Sequence, residues 1–409
     1  MQFKPRIAIV RLIGPVAAAL ASLASASGRI EPPPLPRAAI AAKPLKAEQV
    51  FKNVQVLKGI SVKEFIETMG FFAASTPFSC GTCHGYSTGG SWESYAEDTP
   101  MKKTARKMIR MTNALNRRYF KGTRGISCYS CHRNTDTNGP QAIPSLAYQY
   151  GSPAPEDPEE MSEQAPGSPS PKQILDKYIE AVGGAERLAG LTSFVAKAAY
   201  QGYDDPGKIP AEMSARTSGQ FFQIVHGYNG DSTWVDDGYS AWVAQSERDA
   251  PAPLLALAGG DLDGSHLEAK LYFPAHIKEL LTDLKVGFPL SGVITLVSER
   301  PGVDDRELIV MQGTTAAGNS VKLYFDNNSG LLVRVVRYTK LPVGWAPTEL
   351  DFADYRDVSG IKIPFRIAKT WVNGHSVTEF TSIDLNVPIP DAKFRMPAPP
   401  QRSASPATR

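Results

Sequence analysis

Two short cysteine-containing motifs constrain this 409-residue chain more than any other feature. The sequence has four cysteines, and all of them lie in two C-x-x-C-H motifs, Cys80-Gly-Thr-Cys83-His84 and Cys128-Tyr-Ser-Cys131-His132. This pattern is typical of covalent haem attachment, because two thiols bond to one haem and the adjacent histidine reaches the iron. We therefore expect two covalently attached c-type haems, with His84 and His132 as the proximal iron ligands.

Three other uses of paired cysteines fit less well. A thioredoxin-like pair needs a strand–helix–strand context, which the surrounding sequence lacks. A zinc ribbon does not require a histidine after each second cysteine. Ordinary disulfides would not place every cysteine of the chain in the same five-residue pattern twice.

The first 26 residues have the pattern of a secretory signal peptide. Basic residues precede an apolar run from Leu12 to Leu23, and Ala24-Ser25-Ala26 follows as an A-x-A cleavage pattern. An uncleaved membrane anchor is the alternative, but the run is shorter than the roughly 20 residues that span a bilayer, and Pro15 interrupts it. We expect cleavage near Ala26, export to the periplasm, and no transmembrane segment in the mature chain.

A helix with a methionine precedes each motif. The first begins after Ser61, with apolar positions at helical spacing: Val62, Phe65, Ile66, Met69 and Ala73. The second begins at Thr99-Pro100 and has one shared face: Ala105, Met108, Thr112, Leu115 and Tyr119. A methionine on such a face is most often a core residue, but a thioether is also a common partner of histidine-bound haem. This makes Met69 and Met108 candidates for the sixth ligands.

These segments together resemble the photosynthetic reaction-centre cytochrome c subunit family over about residues 45–145. The matching runs include Asn53-Val-Gln-Val-Leu-Lys-Gly, Glu67-Thr-Met69, both C-x-x-C-H motifs and Ala105-Arg-Lys-Met108-Ile-Arg-Met111-Thr-Asn-Ala-Leu-Asn116. The resemblance implies electron transfer, with Met69 as the sixth ligand of the first haem and Met108, rather than Met111, as that of the second. Photosynthetic members carry four haems, whereas this chain has cysteines for two. The stretch from Arg117 to Ser127 also lacks the histidine that would serve a later haem.

The remaining sequence predicts a multidomain chain. We divide it into a signal peptide (1–26), a Pro/Ala-rich lead-in (27–46), a mainly α dihaem domain (47–150), an acidic Pro-rich linker (151–171), a β-rich domain (172–397) and a disordered tail (398–409). In the β-rich domain, a helix from Pro171, a helical insert from Ser265 to Leu284 and a series of strands with turn signals between many of them predict an α+β fold with a curved antiparallel sheet; Ile361–Trp371 is one of these strands. This arrangement resembles the lipoprotein-carrier half-barrel, whose interior either holds an apolar ligand or is filled by its own side chains.

Charge is distributed unevenly between the two halves. Residues 27–150 carry 17 Lys and Arg against 8 Asp and Glu, whereas residues 151–409 carry 24 against 33. The near-neutral total gives no reason to expect nucleic-acid binding. The basic residues cluster along 102–124, which is either a solvated helix face, a surface covered by the acidic domain, or a docking site for periplasmic or membrane-bound redox proteins.

The sequence therefore predicts a periplasmic dihaem electron carrier, not an enzyme. The alternatives are a peroxidase-like dihaem enzyme, with one iron open to substrate, and a haem-tethered carrier of an apolar ligand. The β-rich domain has no nucleophile, phosphate-binding or dinucleotide motif, and its four histidines are isolated from one another. We expect no catalytic residue there.

Overall fold

The computed structural model describes residues 43–76, 78–85, 94–132, 161–202, 207–246, 252–290, 293–295, 302–304 and 306–398. The expected signal peptide lies outside these residues, as do most of the expected lead-in and tail and the first half of the expected linker. The domain boundaries and the disordered tail remain predictions.

The N-terminal part is helical. Its elements are α1 (Ala47–Val50), α2 (Val62–Ser75), α3 (Cys80–His84), a 3-10 turn (Ser94–Ala96), α4 (Pro100–Tyr119) and α5 (Cys128–His132). The two long helices start where the sequence predicts, because each has a hydroxyl cap. The Ser61 Oγ accepts a hydrogen bond from the Glu64 backbone N–H at 3.2 Å, and the Thr99 Oγ1 accepts one from the Lys102 N–H at 3.2 Å.

The C-terminal part begins with two helices and continues as strands. Its helices are α6 (Pro171–Ala181), α7 (Ala185–Ala189) and α8 (Gly259–Leu271), with 3-10 helices at Pro274–Glu279 and Asp391–Phe394. Its strands are β1 (Ser193–Gly202), β2 (Ile209–Arg216), β3 (Gln220–Gly227), β4 (Gly230–Asp236), β5 (Ala241–Ala244), β6 (Leu254–Ala256), β7 (Thr282–Val286), β8 (Val293–Thr295), β9 (Gly302–Asp304), β10 (Leu308–Thr314), β11 (Ser320–Asp326), β12 (Leu332–Leu341), β13 (Gly344–Val358), β14 (Ile361–Trp371) and β15 (Gly374–Leu385).

Thirteen of these strands form one antiparallel sheet, and the predicted curved antiparallel sheet is confirmed. The strand order is β6-β5-β4-β3-β2-β1-β15-β14-β13-β12-β11-β10-β7, while β8 and β9 pair separately. The sheet encloses α6, whose Ile174, Leu175 and Tyr178 are buried in the main core with side chains from both halves of the sheet. The first strand of this series, β1, pairs with the last, β15, in the middle of the sheet.

The interior described here is largely filled by its own side chains. A cavity of about 50 Å³ lies beside Tyr178, Tyr272, Phe352 and Ile367. A volume of this size has room for a few water molecules.

The β-rich part differs from the sequence-based expectation in several stretches, including strands β2 and β4, which were not expected. A single helix was expected from Ser265 to Leu284, but α8 ends at Leu271, a 3-10 helix follows, and Thr282–Val286 is a strand. The longest strand, β13, was not expected at all, because Pro347 and several acidic residues have low strand propensity. Its acidic residues are accommodated by ion pairing: Arg334 on β12 lies 2.6 Å from Asp351 and 3.1 Å from Glu349.

The helical part packs directly on the sheet. A small core joins Leu57, Phe71, Ala74 and Ile109 to residues at two hairpins of the sheet: Leu341, Val343, Ala346 and Val372. Beside this core, the Lys63 Nζ on α2 lies 3.5 Å from the Asp261 Oδ1 on α8 and 2.6 Å from the Glu67 Oε1. Helix α2 is therefore held by apolar contacts and by a buried charge cluster.

Candidate haem-attachment segments

Each C-x-x-C-H motif forms a one-turn helix, α3 and α5. All four cysteines lie in the described part of the chain and none is in a disulfide. The first cysteine of one motif and the second of the other, Cys80 and Cys131, are exposed, and Cys83 and Cys128 are half-buried. One turn of helix places the two cysteines of a motif and the following histidine close together, as attachment to one haem requires.

His84 is held in an orientation that suits iron ligation. Its Nδ1 lies 3.2 Å from the Tyr95 carbonyl oxygen, and the His84 and Tyr95 rings are 4.8 Å apart between centroids. A carbonyl only accepts, so Nδ1–H donates and Nε2 keeps its lone pair. Burial, and secondarily the charge of Lys102, lowers the pKa of His84, which favours the neutral ligating form.

Thr99 connects the first motif to the helix of the second unit. While its Oγ1 caps α4, the same hydroxyl donates a hydrogen bond to the Cys83 carbonyl at 2.6 Å. Lys102, in the first turn of α4, donates to the Tyr95 and Glu97 carbonyls. The Tyr95 carbonyl thus receives both the His84 ring and an ammonium group, which fixes the turn that faces the histidine.

The segment before α2 is tied to the same turn by Asn53. Its Nδ2 donates to the Ala96 carbonyl at 2.8 Å and to the Asp98 Oδ1 at 2.9 Å, and Asp98 also lies 2.6 Å from the Arg106 NH1. Asn53 has φ 61°, a left-handed conformation that asparagine tolerates better than most residues. The family-like run that starts at Asn53 therefore has a structural role in this part of the fold.

The second motif is positioned by Asn116 near the end of α4. The Asn116 side chain donates to the Ile126 carbonyl at 2.8 Å and accepts from the Ile126 N–H at 3.0 Å, while the Ser130 Oγ accepts from the Ser127 N–H at 3.0 Å. Burial raises the pKa of the Cys128 thiol to about 11. His132 ends α5 and is half-buried.

The candidate methionines lie on faces that the protein leaves partly open. Met69 is half-buried and packs beside the small core that joins α2 to the sheet, as does Cys128. Met108 is 37% exposed and Met111 is 45% exposed. Helix α4 lies next to both α3 and α5, whereas α2 lies next to α5, so the Met108 helix adjoins both C-x-x-C-H segments and the Met69 helix adjoins the second. The contacts do not separate Met108 from Met111 as a ligand.

The donor set fits a c-type haem. The side chains available are unpaired thiols in both motifs, a histidine whose Nδ1 is already engaged, and methionines beside the motifs. Several exposed apolar side chains lie on α2, on α4 or at the end of α4: Ile66, Met108, Met111, Tyr119 and Phe120. An apolar surface of this kind is typical of a binding site for a large apolar group.

The basic segment 102–124 is divided between structural and exposed residues. Lys102 and Arg106 are half-buried and bond within the fold, and Arg124 is also half-buried. The exposed cations share one side of α4 and its C-terminal end: Lys103, Lys107, Arg110, Arg117, Arg118 and Lys121. The expected docking surface is therefore narrower than the sequence suggests, and we call these six residues the basic face.

The sequence predicts some of these contacts but not others. The cysteines, His84 and the start of α4 follow from the motifs and the Thr99-Pro100 pair, but the second role of Thr99 does not. Tyr95 contributes through its backbone carbonyl, so its identity carries no signal. Asn53 and Asn116 belong to the family-like runs, which was the available indication of their importance.

Comparison with known proteins agrees with the motifs. Residues 17–163 match the photosynthetic reaction centre cytochrome C subunit family. The photosynthetic reaction center cytochrome c subunit of Thermochromatium tepidum is 38% identical over 94 residues, which are 22% of each chain. The corresponding subunit of Rubrivivax gelatinosus is 35% identical over 96 residues, 22% of this chain and 24% of that one. The resemblance predicted from the sequence is confirmed, over about a quarter of the length of these curated relatives.

A solved structure is similar to part of this chain. A LolA superfamily protein from Nitrosomonas europaea covers 56% of this chain and 98% of its own, with 13% sequence identity and a TM-score of 0.37. Among the helices of the described residues, none combines the length and apolar character needed to cross a membrane. Within the same residues, no three His, Cys, Asp or Glu side chains come together as a metal site.

Proposed function

We propose that this protein is a periplasmic electron carrier with two covalently attached c-type haems. The observation that carries this proposal is the pairing of two one-turn C-x-x-C-H helices with two adjoining methionine helices. The similarity to reaction centre cytochrome c subunits supports it. The haem number follows from the cysteine count, and the periplasmic location from the export signal and from covalent haem attachment.

The protein's own residues would hold and orient the haems. Cys80 and Cys83 would bond to the first and Cys128 and Cys131 to the second, leaving His84 and His132 to ligate iron from one side. The Tyr95 carbonyl keeps His84 in the tautomer whose Nε2 lone pair is available. When bound, each haem supplies a one-electron redox centre.

The sixth ligands in this proposal are Met69 for the first haem and Met108 for the second. This assignment is taken from the resemblance to the family and not from helix adjacency, since α2 adjoins α5 of the second motif. Methionine ligation raises the reduction potential of a haem relative to ligation by two histidines. Both centres would therefore be higher-potential carriers rather than sites open to substrate. The basic face of α4 would dock an acidic redox protein of the periplasm or the membrane surface.

The decisive experiment combines haem counting with ligand replacement. A pyridine haemochrome assay with intact mass should give two covalent haems per chain. In the oxidised protein, the methionine–iron absorption band at about 695 nm should lose about half its intensity in Met69→Ala and in Met108→Ala, with both haems still attached.

Met111→Ala is the matched control, because it removes a neighbouring methionine from the same helix. It should leave the band intact. A band lost in Met111→Ala but retained in Met108→Ala would reassign the second ligand. One haem per chain would overturn the proposal, and a band from a single haem with an open second iron would favour the dihaem enzyme.

A further inference from the structure

Helix α2 presents Phe71 and Met69 on different sides of its axis, and both side chains contact the small core that joins α2 to the sheet. Phe71 is fully buried, whereas Met69 is half-buried on a partly open face with Ile66. Two residues correspond to about 200° around an α-helix, so Met69 and Phe71 point in nearly opposite directions. Any surface that fixes Phe71 therefore fixes the rotation and height of Met69.

Two hairpins of the sheet hold Phe71 in place, and the first is the hairpin between β12 and β13. Phe71 shares a core with Leu341, Val343 and Ala346 from this hairpin. The contact is close at Gly344, where an added Cβ would lie 2.4 Å from the Phe71 Cζ. Only a residue without a side chain lets the strand reach the ring at this point.

The second hairpin lies between β14 and β15 and contacts the adjacent residue of the helix. An added Cβ on Gly70 would lie 2.7 Å from the Asn373 Oδ1. Val372 from the same hairpin joins the core around Phe71. The two hairpins thus contact consecutive residues of α2, and at about 100° per residue Gly70 lies about 100° and Phe71 about 200° around the helix from Met69.

We propose that these two hairpins of the C-terminal sheet position Met69 for the iron of the first haem. The proposal gives the sheet a role in electron transfer, and it rests on the proposed function through the assignment of Met69. Gly344, Asn373 and Phe71 are positioning residues, since they act through the helix and not on the haem.

The expected effect of each glycine-to-alanine substitution depends on how easily the atoms near the new methyl group can move. The Phe71 ring is fully enclosed, so a methyl group at Gly344 must displace the helix or the strand. Asn373 meets Gly70 with the end of its side chain, which can rotate, so Gly70→Ala is the milder change. Gly207 has no atom within 4 Å of an added Cβ and serves as the matched control. None of the three glycines has positive φ, so alanine adds no backbone strain.

The test uses the haem-loaded full chain in a Met108→Ala background, where the remaining methionine–iron band comes from the first haem alone. The band and the reduction potential of that haem are measured for each glycine variant. Gly344→Ala should lose most of the band and lower the potential, Gly70→Ala should lose less, and Gly207→Ala should match its parent. Adding Phe71→Leu to Gly344→Ala should restore the band, because leucine lacks the ring atoms that clash.

Thermal unfolding of the same variants distinguishes a displaced Met69 from a general loss of stability. Equal bands in Gly344→Ala and Gly207→Ala would overturn the inference while leaving the proposed function intact. A band reduced in Gly344→Ala but not restored by Phe71→Leu would also overturn it, because the loss would then not pass through Phe71. If the parent shows no methionine–iron band, the assignment of Met69 fails first, and with it the proposed function as stated.

Discussion

Replacing Asp261 with asparagine should make the stability of this protein less dependent on pH. Asp261 lies in the first turn of α8, is 5% exposed, and shares a cluster with the partly buried Glu67 and Lys63 on α2. The two carboxylates thus lie close together, with Lys63 and the charge of Arg337 acting on both. Burial, followed by the charge of Glu67, raises the pKa of Asp261 to about 7.

The sign follows from comparing the folded and unfolded chains. The carboxyl of an unfolded aspartate has a pKa of about 3.9. Between about pH 4 and pH 7 the folded protein holds a proton that the unfolded chain has released, so stability falls as pH rises through this window and is lowest above it. Three pKa units correspond to about 4 kcal/mol as an upper limit. Lys63 holds the pKa of Glu67 below its usual value, which has the opposite effect on stability. We therefore expect the free energy of unfolding to fall by about 2 kcal/mol in total as the pH rises through this window.

Urea unfolding at pH 5 and pH 8 measures this difference directly. The free energy of unfolding of the wild-type protein should fall by about 2 kcal/mol more than that of Asp261→Asn between the two pH values. Asp283→Asn, at an exposed site, is the control and should follow the wild type. If Asp261→Asn loses as much stability between pH 5 and pH 8 as the wild type, the raised pKa of Asp261 is not the cause of the pH dependence.

Three further outcomes test other parts of the structure. Charge reversal of Lys103 and Lys107 together should slow electron transfer to an acidic partner by about tenfold at low salt, with unchanged haem spectra; equal slowing at high salt would contradict docking by charge. Thr99→Val should cost about 1–2 kcal/mol in thermal unfolding, whereas Thr104→Val on the exposed side of α4 should cost little. Arg334→Met should cost about 3–5 kcal/mol in urea unfolding, because it leaves two buried carboxylates without their cation; a neutral effect would show that the carboxylates bind protons instead.

The sequence predicted the helices and strands whose signals are local. Ser61 and Thr99 cap helices where expected, and strands such as Ile361–Trp371 are rich in β-branched and aromatic residues. Helix α2 shows the limit of this approach. Its periodicity identified the face with Met69 but not the face with Phe71, because the partners of Phe71 come from hairpins far along the chain.

Strand β13 shows a second limit. Pro347, Glu349 and Asp351 argue against a strand when each residue is considered alone. The pairing with β12 reverses that balance, since Arg334 on the neighbouring strand binds both carboxylates. The basic segment around α4 is similar, because charge counting could not reveal that Lys102 and Arg106 bond to groups of the fold itself.

The contact between Phe71 and Gly344 also sets an order for folding. Phe71 lies before both C-x-x-C-H motifs, and its partner at Gly344 is about 270 residues farther along the chain. Contacts this distant in sequence form late, because the cost of closing a long loop comes before any gain from packing. The helix that carries Met69 therefore reaches its final position only after the last strands of the sheet exist. In the proposed export, the cysteine segments would emerge first and would stay accessible for haem attachment until the C-terminal half of the chain has arrived.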